Sequence, residues 1–325
     1  MLPIRSTTAQ AAATLLLFAA TAAPAAAADV QSRLQENWRS EIAQTAQPGA
    51  GCFQAHYPSK AWHQVACTKA PNKPFISRRA LLEAGARTVG NGNDYAAIAH
   101  GVITAATGSF PTVTGLKSET DGGANIYSLQ LNSNFFTSTA CTGASSPSTC
   151  RGWEQFVYSS SSAASFIQYW LINYGNTCPT TPYNDWNNYQ GSCYRNSSAI
   201  GVPQEPISQL ANFKITGTAS AAKDTFVTAV GTTAYSTGGN DNVVLLASGW
   251  AANEFNVVGD GGGSGAAFNR GTSIKVHLAQ HDGTTLAPLC QGNSGTTGET
   301  NNLTLGAVCS TGGGRAPFIS FTEKR

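Results

Sequence analysis

The chain has 325 residues, of which only 11% are charged, and a formal net charge of +2. So small a charge gives no reason to invoke nucleic acid or an anionic membrane as a partner. Low charge together with 34 glycines and abundant Ser, Thr and Asn sets aside a cytosolic α/β enzyme and fits an exported β-rich protein.

The N-terminus carries Arg5, an Ala/Leu-rich stretch to about Ala23, and Ala26-Ala27-Ala28 before Asp29. Residues 1–28 therefore read as a Sec-type signal peptide, and the product as secreted. The apolar stretch is too short to span a membrane. Residues 29–88 differ from the rest. Leu34, Trp38 and Ile42 recur at helical spacing between Asp29 and Thr45, which predicts an amphipathic helix. A Cys52–Cys67 loop follows, with a basic stretch of Lys60, Lys69, Lys73, Arg78, Arg79 and Arg87 against the single acid Glu83. Pro71 and Pro74 mark it as extended. Two readings stand for 29–88: a pro-segment that covers a cleft until removed near Arg78-Arg79, or a permanent N-terminal subdomain.

From residue 89 onward, short apolar runs alternate with Gly, Asn, Ser and Thr clusters. The candidate strands are Asn125–Leu131, Trp153–Tyr158, Phe166–Tyr174, Phe213–Thr218, Lys223–Val230, Asn242–Ala247, Asn253–Val258, Ser273–Leu278, Thr304–Val308 and Pro317–Thr322. Such spacing predicts an all-β domain over 89–325, a sandwich or a barrel. All eight cysteines lie between Cys52 and Cys309. An even count in an exported chain reads as disulfides. Sequential pairing is favoured because each pair closes a short loop. There is no CxxC or HExxH, and the five His are scattered, so no metal and no cofactor are expected.

Three strands carry polar residues that a sandwich core does not need. With period two, Trp153, Gln155 and Val157 share a face, as do Gln168, Trp170, Ile172 and Tyr174, and as do Trp250, Glu254 and Asn256. Buried polar groups without partners are costly, so this mixture predicts a concave binding face. Glu154 is expected on the opposite face from Gln155. Asp260, in Gly259-Asp260-Gly261, reads as a turn acid or calcium ligand.

The order of these motifs resembles the glutamic peptidases called eqolisins. A Gln-bearing strand comes first, then Tyr169-Trp170-Leu171-Ile172-Asn173-Tyr174, then Ala252-Asn253-Glu254-Phe255, a Gly-rich turn and Ala267-Phe268-Asn269-Arg270-Gly271. The resemblance covers roughly residues 125–280. It implies that 89–325 is a two-sheet antiparallel jelly-roll sandwich of the concanavalin type, and a secreted acid endopeptidase with Gln155 and Glu254 as its catalytic dyad. The chain departs from the family pattern at Phe156-Val157, at Leu171-Ile172-Asn173 and at Phe255. In chemical terms, Glu254 serves as base and then as acid to the leaving amine. Gln155 donates to the developing oxyanion. Trp170 or Trp250 walls the site, Gln168 is the rival for the role of Gln155, and the partner is a polypeptide substrate.

Other chemistries compete. Cys290-Gln291-Gly292-Asn293-Ser294-Gly295 and Ala99-His100 resemble the serine-protease nucleophile loop and His motif, but Asn293 stands where that family uses Asp. A disulfide-flanked Gly/Ser loop explains the same residues. A glycosidase needs two facing carboxylates, and only Glu254 is well placed. A non-catalytic lectin-like domain is the main alternative, with Trp153, Trp170, Tyr174 and Asn256 contacting polysaccharide. A peptidase needs the Gln155 and Glu254 side chains to converge on one site within reach of one water, whereas a sugar-binding module needs only an aromatic platform. Placement on opposite sheets excludes the peptidase.

Overall fold

The computed structural model describes residues 22–45, 47–76, 94–292 and 299–325, with side chains from Asp29 onward. One helix, α1 (Ala22–Ile42), precedes the strands β1 (Cys52–His56), β2 (His63–Val65), β3 (Tyr95–Ile98), β4 (Ala105–Thr114), β5 (Glu119–Thr120) and β6 (Ser128–Ser133). Then come β7 (Arg151–Ser159), β8 (Ala164–Ile172), β9 (Asn187–Tyr189), β10 (Ser192–Asn196), β11 (Ile200–Gly201), β12 (Phe213–Ala219), β13 (Asp224–Val230) and β14 (Thr233–Gly239). The chain closes with β15 (Ala252–Val258), β16 (Gly265–Phe268), β17 (Ser273–His281), β18 (Leu289–Gly292), β19 (Thr300–Asn301), β20 (Thr304–Gly312) and β21 (Phe318–Lys324).

Two nine-stranded sheets pack face to face. The first runs β2-β1-β14-β13-β12-β4-β17-β21-β20, and the second β18-β3-β15-β6-β7-β8-β10-β9 with β11 beside β8. Pairing within both is antiparallel. The sandwich follows from the alternation: in β17, Ile274, Val276 and Leu278 are buried while Lys275 points to solvent. Aromatic pairs join the two inner faces. Phe110 meets Phe255 at 4.8 Å between centroids, Phe156 meets Phe226 at 5.7 Å, and Tyr158 meets Phe213 at 5.0 Å.

Two glycines make room for these rings. A Cβ at Gly108 would stand 2.3 Å from the Phe255 ring, and one at Gly217 would stand 2.4 Å from the Phe156 ring. Gly108→Ala and Gly217→Ala are each expected to destabilise the fold by about 1–3 kcal/mol through overpacking. A urea midpoint unchanged by both substitutions contradicts this packing.

The helix begins earlier than Asp29. Trp38 and Ile42 are buried against Val227, Ala229 and Ala234 on the outer face of the first sheet, but Leu34 is exposed. The first turn of the stripe thus has no sheet beneath it. Residues 52–65 add β1 and β2 to the edge of the first sheet through β14, so this part of 29–88 is continuous with the sandwich. The four disulfides are 52–67, 141–150, 178–193 and 290–309, the sequential set. They fit an oxidising, extracellular environment. Residues 1–21 of the expected signal peptide, and Arg78-Arg79, lie outside the described residues.

One expected strand is absent. Asn242–Ala247 forms parts of two short 3-10 turns, Asp241–Val243 and Leu246–Ser248, with Leu245 between them at φ 63°. Its apolar residues Val243, Val244 and Leu246 are buried all the same. A short apolar run announces burial more reliably than it announces conformation. Conversely, β4 is a central strand that its Ala, Gly, Ser and Pro111 conceal. The pairing of β4 with β17 shifts register between Lys275 and His277, beside Pro111, where a bulge relieves the ladder of the missing N–H.

Candidate active site

Five polar residues form one row across the second sheet. Glu254 on β15 stands opposite Asn132 on β6, Asn132 opposite Gln155 on β7, Gln155 opposite Gln168 on β8, and Gln168 opposite Asn196 on β10. Directly opposed residues share a face. Their neighbours Leu131, Phe156 and Phe255 turn to the core between the sheets. The row is therefore on the outer face of the second sheet.

Hydrogen bonds run its length. Asn132 Nδ2 donates to Glu254 Oε2 (2.7 Å), and Gln155 Nε2 donates to Asn132 Oδ1 (3.2 Å). Trp170 Nε1 donates to both Gln155 Oε1 (3.0 Å) and Gln168 Oε1 (3.1 Å), and Gln168 Nε2 donates to Asn196 Oδ1 (2.9 Å). Each amide is thereby fixed in orientation. Glu254 and Gln155 are two strands apart, roughly 9–10 Å between backbones, with Asn132 bridging them.

Glu254 has a carboxyl companion. Burial pushes its pKa well above the ordinary carboxylate range, and the hydrogen-bonded Asp94 carboxyl pushes it further. Burial likewise raises Glu323, which accepts from Asn256 Nδ2 at 2.9 Å. Two like charges in so dry a place cannot both ionise readily.

A segment of the chain lies over the row. Asn196 Nδ2 donates to Pro71 O (2.9 Å), Gln168 Nε2 to Lys73 O (3.0 Å), and Gln155 Nε2 to Phe75 O (2.9 Å). Phe75 N donates back to Gln168 Oε1 at 2.8 Å. Lys73 Nζ reaches the Asp260 carbonyl (2.7 Å) and carboxylate (3.3 Å). Phe75 packs with Val157 and Phe166, and Ile76 with Phe135, Trp153 and Trp170. Gln155, beneath Phe75, is fully buried, and Glu254 is 2% exposed.

The sheet gathers most of the expected residues on one face: Trp153, Gln155, Gln168, Trp170, Glu254 and Asn256. Two expected members are elsewhere. β8 ends at Ile172, and Asn173 adopts φ 57°, so the period-two pattern stops before Tyr174. Tyr174 packs into the main core and approaches Gly143. Trp250 precedes β15, where its N–H bonds Leu246 O in a turn, and its ring stacks on Phe156 inside the sandwich. Alternation cannot be counted through a turn. Glu154 does face inward, toward Asp224 and Asp241. Asp260 is a turn acid that holds Lys73. His100 contacts Ala287 O through Nε2, and Ser294 lies outside the described residues.

Sequence reasoning missed Asn132, Asp94 and Asn196; it expected the basic stretch with Pro71 and Pro74 to cover a cleft but not which residues Pro71–Ile76 would grip. The signal for Asn132 was present, since Leu129-Gln130-Leu131-Asn132 alternates as the other three strands do. Asp94 has no such signal, because a single residue before a four-residue strand shows no period. Among the described residues, no group of three His, Cys, Asp or Glu is placed to hold a metal ion.

No protein-family model matches this chain, and no curated protein matches it. The geometry alone therefore carries the functional reading. The row carries oriented amides, has a buried carboxyl pair at its Glu254 end, and grips a peptide backbone laid over it. Such a set can hold a carbonyl oxygen at Gln155 and exchange a proton at Glu254, two strands along the row.

Proposed function

We propose that the chain is a secreted endopeptidase of the glutamic type, held latent by its own Pro71–Ile76 strap. The observation that carries this reading is the Phe75 carbonyl. It accepts a hydrogen bond from Gln155, whose amide is joined through Asn132 to Glu254. A peptide carbonyl thus rests where the expected oxyanion donor is. With the strap displaced, water enters beside Glu254 and Asp94. One proton shared by that pair leaves one carboxylate to deprotonate the water and one acid to protonate the departing amine. Gln155 stabilises the oxyanion.

Denatured casein incubated with the secreted protein from about pH 3 to pH 7 should be cut on the acid side. Pepstatin and serine-directed reagents should have no effect. Absence of cleavage at every pH, in protein whose strap has been nicked by a second protease, removes the reading.

The saccharide alternative finds its support elsewhere. Trp153, Trp170, Tyr174 and Asn256 are all buried and present no platform. An open cleft of about 960 Å³, lined by Tyr183, Asp185, Trp186, Arg195 and Asn240, offers aromatic and hydroxyl-binding groups. Arg195 stacks over Tyr183 at 4.0 Å while pairing with Asp185. If oligosaccharides bind, Trp186→Ala should lose that binding at least about tenfold, with acid proteolysis untouched.

A further inference from the structure

Resting on the peptidase reading, we infer that the strap occupies the groove as a substrate does, with the Phe75–Ile76 bond at the position cleaved. The site would then take an extended polypeptide with an aromatic residue before the cut bond and a branched aliphatic residue after it.

The strap crosses the sheet in regular steps. Carbonyls of Pro71, Lys73 and Phe75 meet Asn196, Gln168 and Gln155 in turn, one strand for every two residues. The direction of travel is toward Glu254 on β15. Two-residue steps are the repeat of extended backbone, which is the form in which proteases bind chains. Of these carbonyls, that of Phe75 is the one held by Gln155. Of the three amides that grip the strap, Gln155 is also the one nearest to Glu254, with Asn132 between them.

Each side of this bond has its own pocket. The Phe75 ring meets Phe166 edge-on at 5.5 Å between centroids and packs with Val157, Ala164 and Ala199. Ile76 belongs to a separate cluster with Phe135, Trp153, Trp170 and Ile172. Both side chains are fully buried, so each pocket is filled by what it holds. An aromatic residue buries a large ring in the first pocket. A branched aliphatic residue fits the second, whose tryptophan walls leave no polar partner for a charged or amide side chain.

The step balances as simple hydrolysis. Water oxygen bonds to the Phe75 carbonyl carbon and its proton passes to the Glu254–Asp94 pair. The C–N bond then breaks, a proton passes from the pair to the Ile76 nitrogen, and one water yields a carboxyl and an amine.

The test holds the secreted full chain at about pH 3.5, sequences any new N-terminus, and maps the casein bonds it cuts. The expected terminus is Ile76. The expected casein cuts are enriched about tenfold for an aromatic residue before the bond and Ile, Val or Leu after it. Phe75→Asp should slow self-cleavage before residue 76 at least tenfold; the casein map on the unaltered chain decides if that variant does not fold. Casein cleavage without this preference, or self-cleavage at another bond such as one beside Arg78, overturns the inference and leaves the peptidase reading standing. No casein cleavage by strap-nicked protein at any pH overturns both.

Discussion

Glu254→Gln is expected to abolish acid proteolysis, lowering kcat/KM by about 10²–10⁴-fold as loss of a general acid–base does. The substitution conserves shape. It also mimics the neutral form that burial and Asp94 favour, so the fold should hold and gain stability at neutral pH. Gln155→Ala should cost about 10²–10³-fold in kcat, the scale of a lost oxyanion donor. Unlike Glu254→Gln, it should also destabilise by about 1–3 kcal/mol, because Trp170 Nε1 and the Phe75 carbonyl lose a buried partner. Residues that act as a unit are not additive, so the double variant should resemble the worse single one. The measurement is casein turnover alongside thermal unfolding at the same acidic pH. Full activity in Glu254→Gln, with loss in Ser294→Ala, replaces the glutamic mechanism with the serine one.

Stability should fall as pH rises, by 10 °C or more in Tm between about pH 4 and pH 8 for a chain of this size. Burial is the first cause throughout. It pushes Glu119 and Glu299 up to about 8, and Asp224 up to about 9 with Asp241 beside it. Glu154, Glu254 and Glu323 are raised as well. Near pH 4 and below, these carboxyls are protonated folded and largely protonated unfolded, so their contribution is whole. Above the ordinary value of 4.5, the unfolded chain ionises first and the folded chain keeps its protons. Stability is therefore lost progressively as pH climbs toward 8 or 9. Groups such as Asp282, held low by Thr284 and backbone N–H groups, act oppositely but are fewer among the described residues. A Tm that rises from pH 4 to pH 8 sinks this account. The same slope would leave the fold most stable on the acid side, where the proposed chemistry needs it.

The sandwich was legible in the sequence because its strands repeat hydrophobic alternation between Gly, Asn and Ser turns, and because eight cysteines close local loops. The polar face was legible for a narrower reason. Gln155, Gln168 and Glu254 interrupt strands whose other residues are apolar, and alternation placed them together. What could not be read was the third dimension of irregular chain. Trp250 and Tyr174 sit just outside strand ends, where a turn or a left-handed Asn173 resets direction. Pro71–Ile76 has no period at all, so its docking on the row depends on contacts with residues about 80 to 125 positions away. Its prolines showed that it was extended, and its charge that it differed from the body. The charge excess pointed to a cover over an acidic cleft, but nothing in the stretch told which side chains it would bond.

The local closure of the disulfides has a practical corollary for anyone purifying this molecule. One bridge lies wholly before residue 77 and three lie wholly after residue 93. A chain cut between those positions is covalently two polypeptides. In native buffer they remain one particle, because β1 is laced into β14 by sheet hydrogen bonds and Trp38 is seated on β13. In SDS the two part without any reductant, and a small N-terminal band beside a large one reports processing directly from a non-reducing gel.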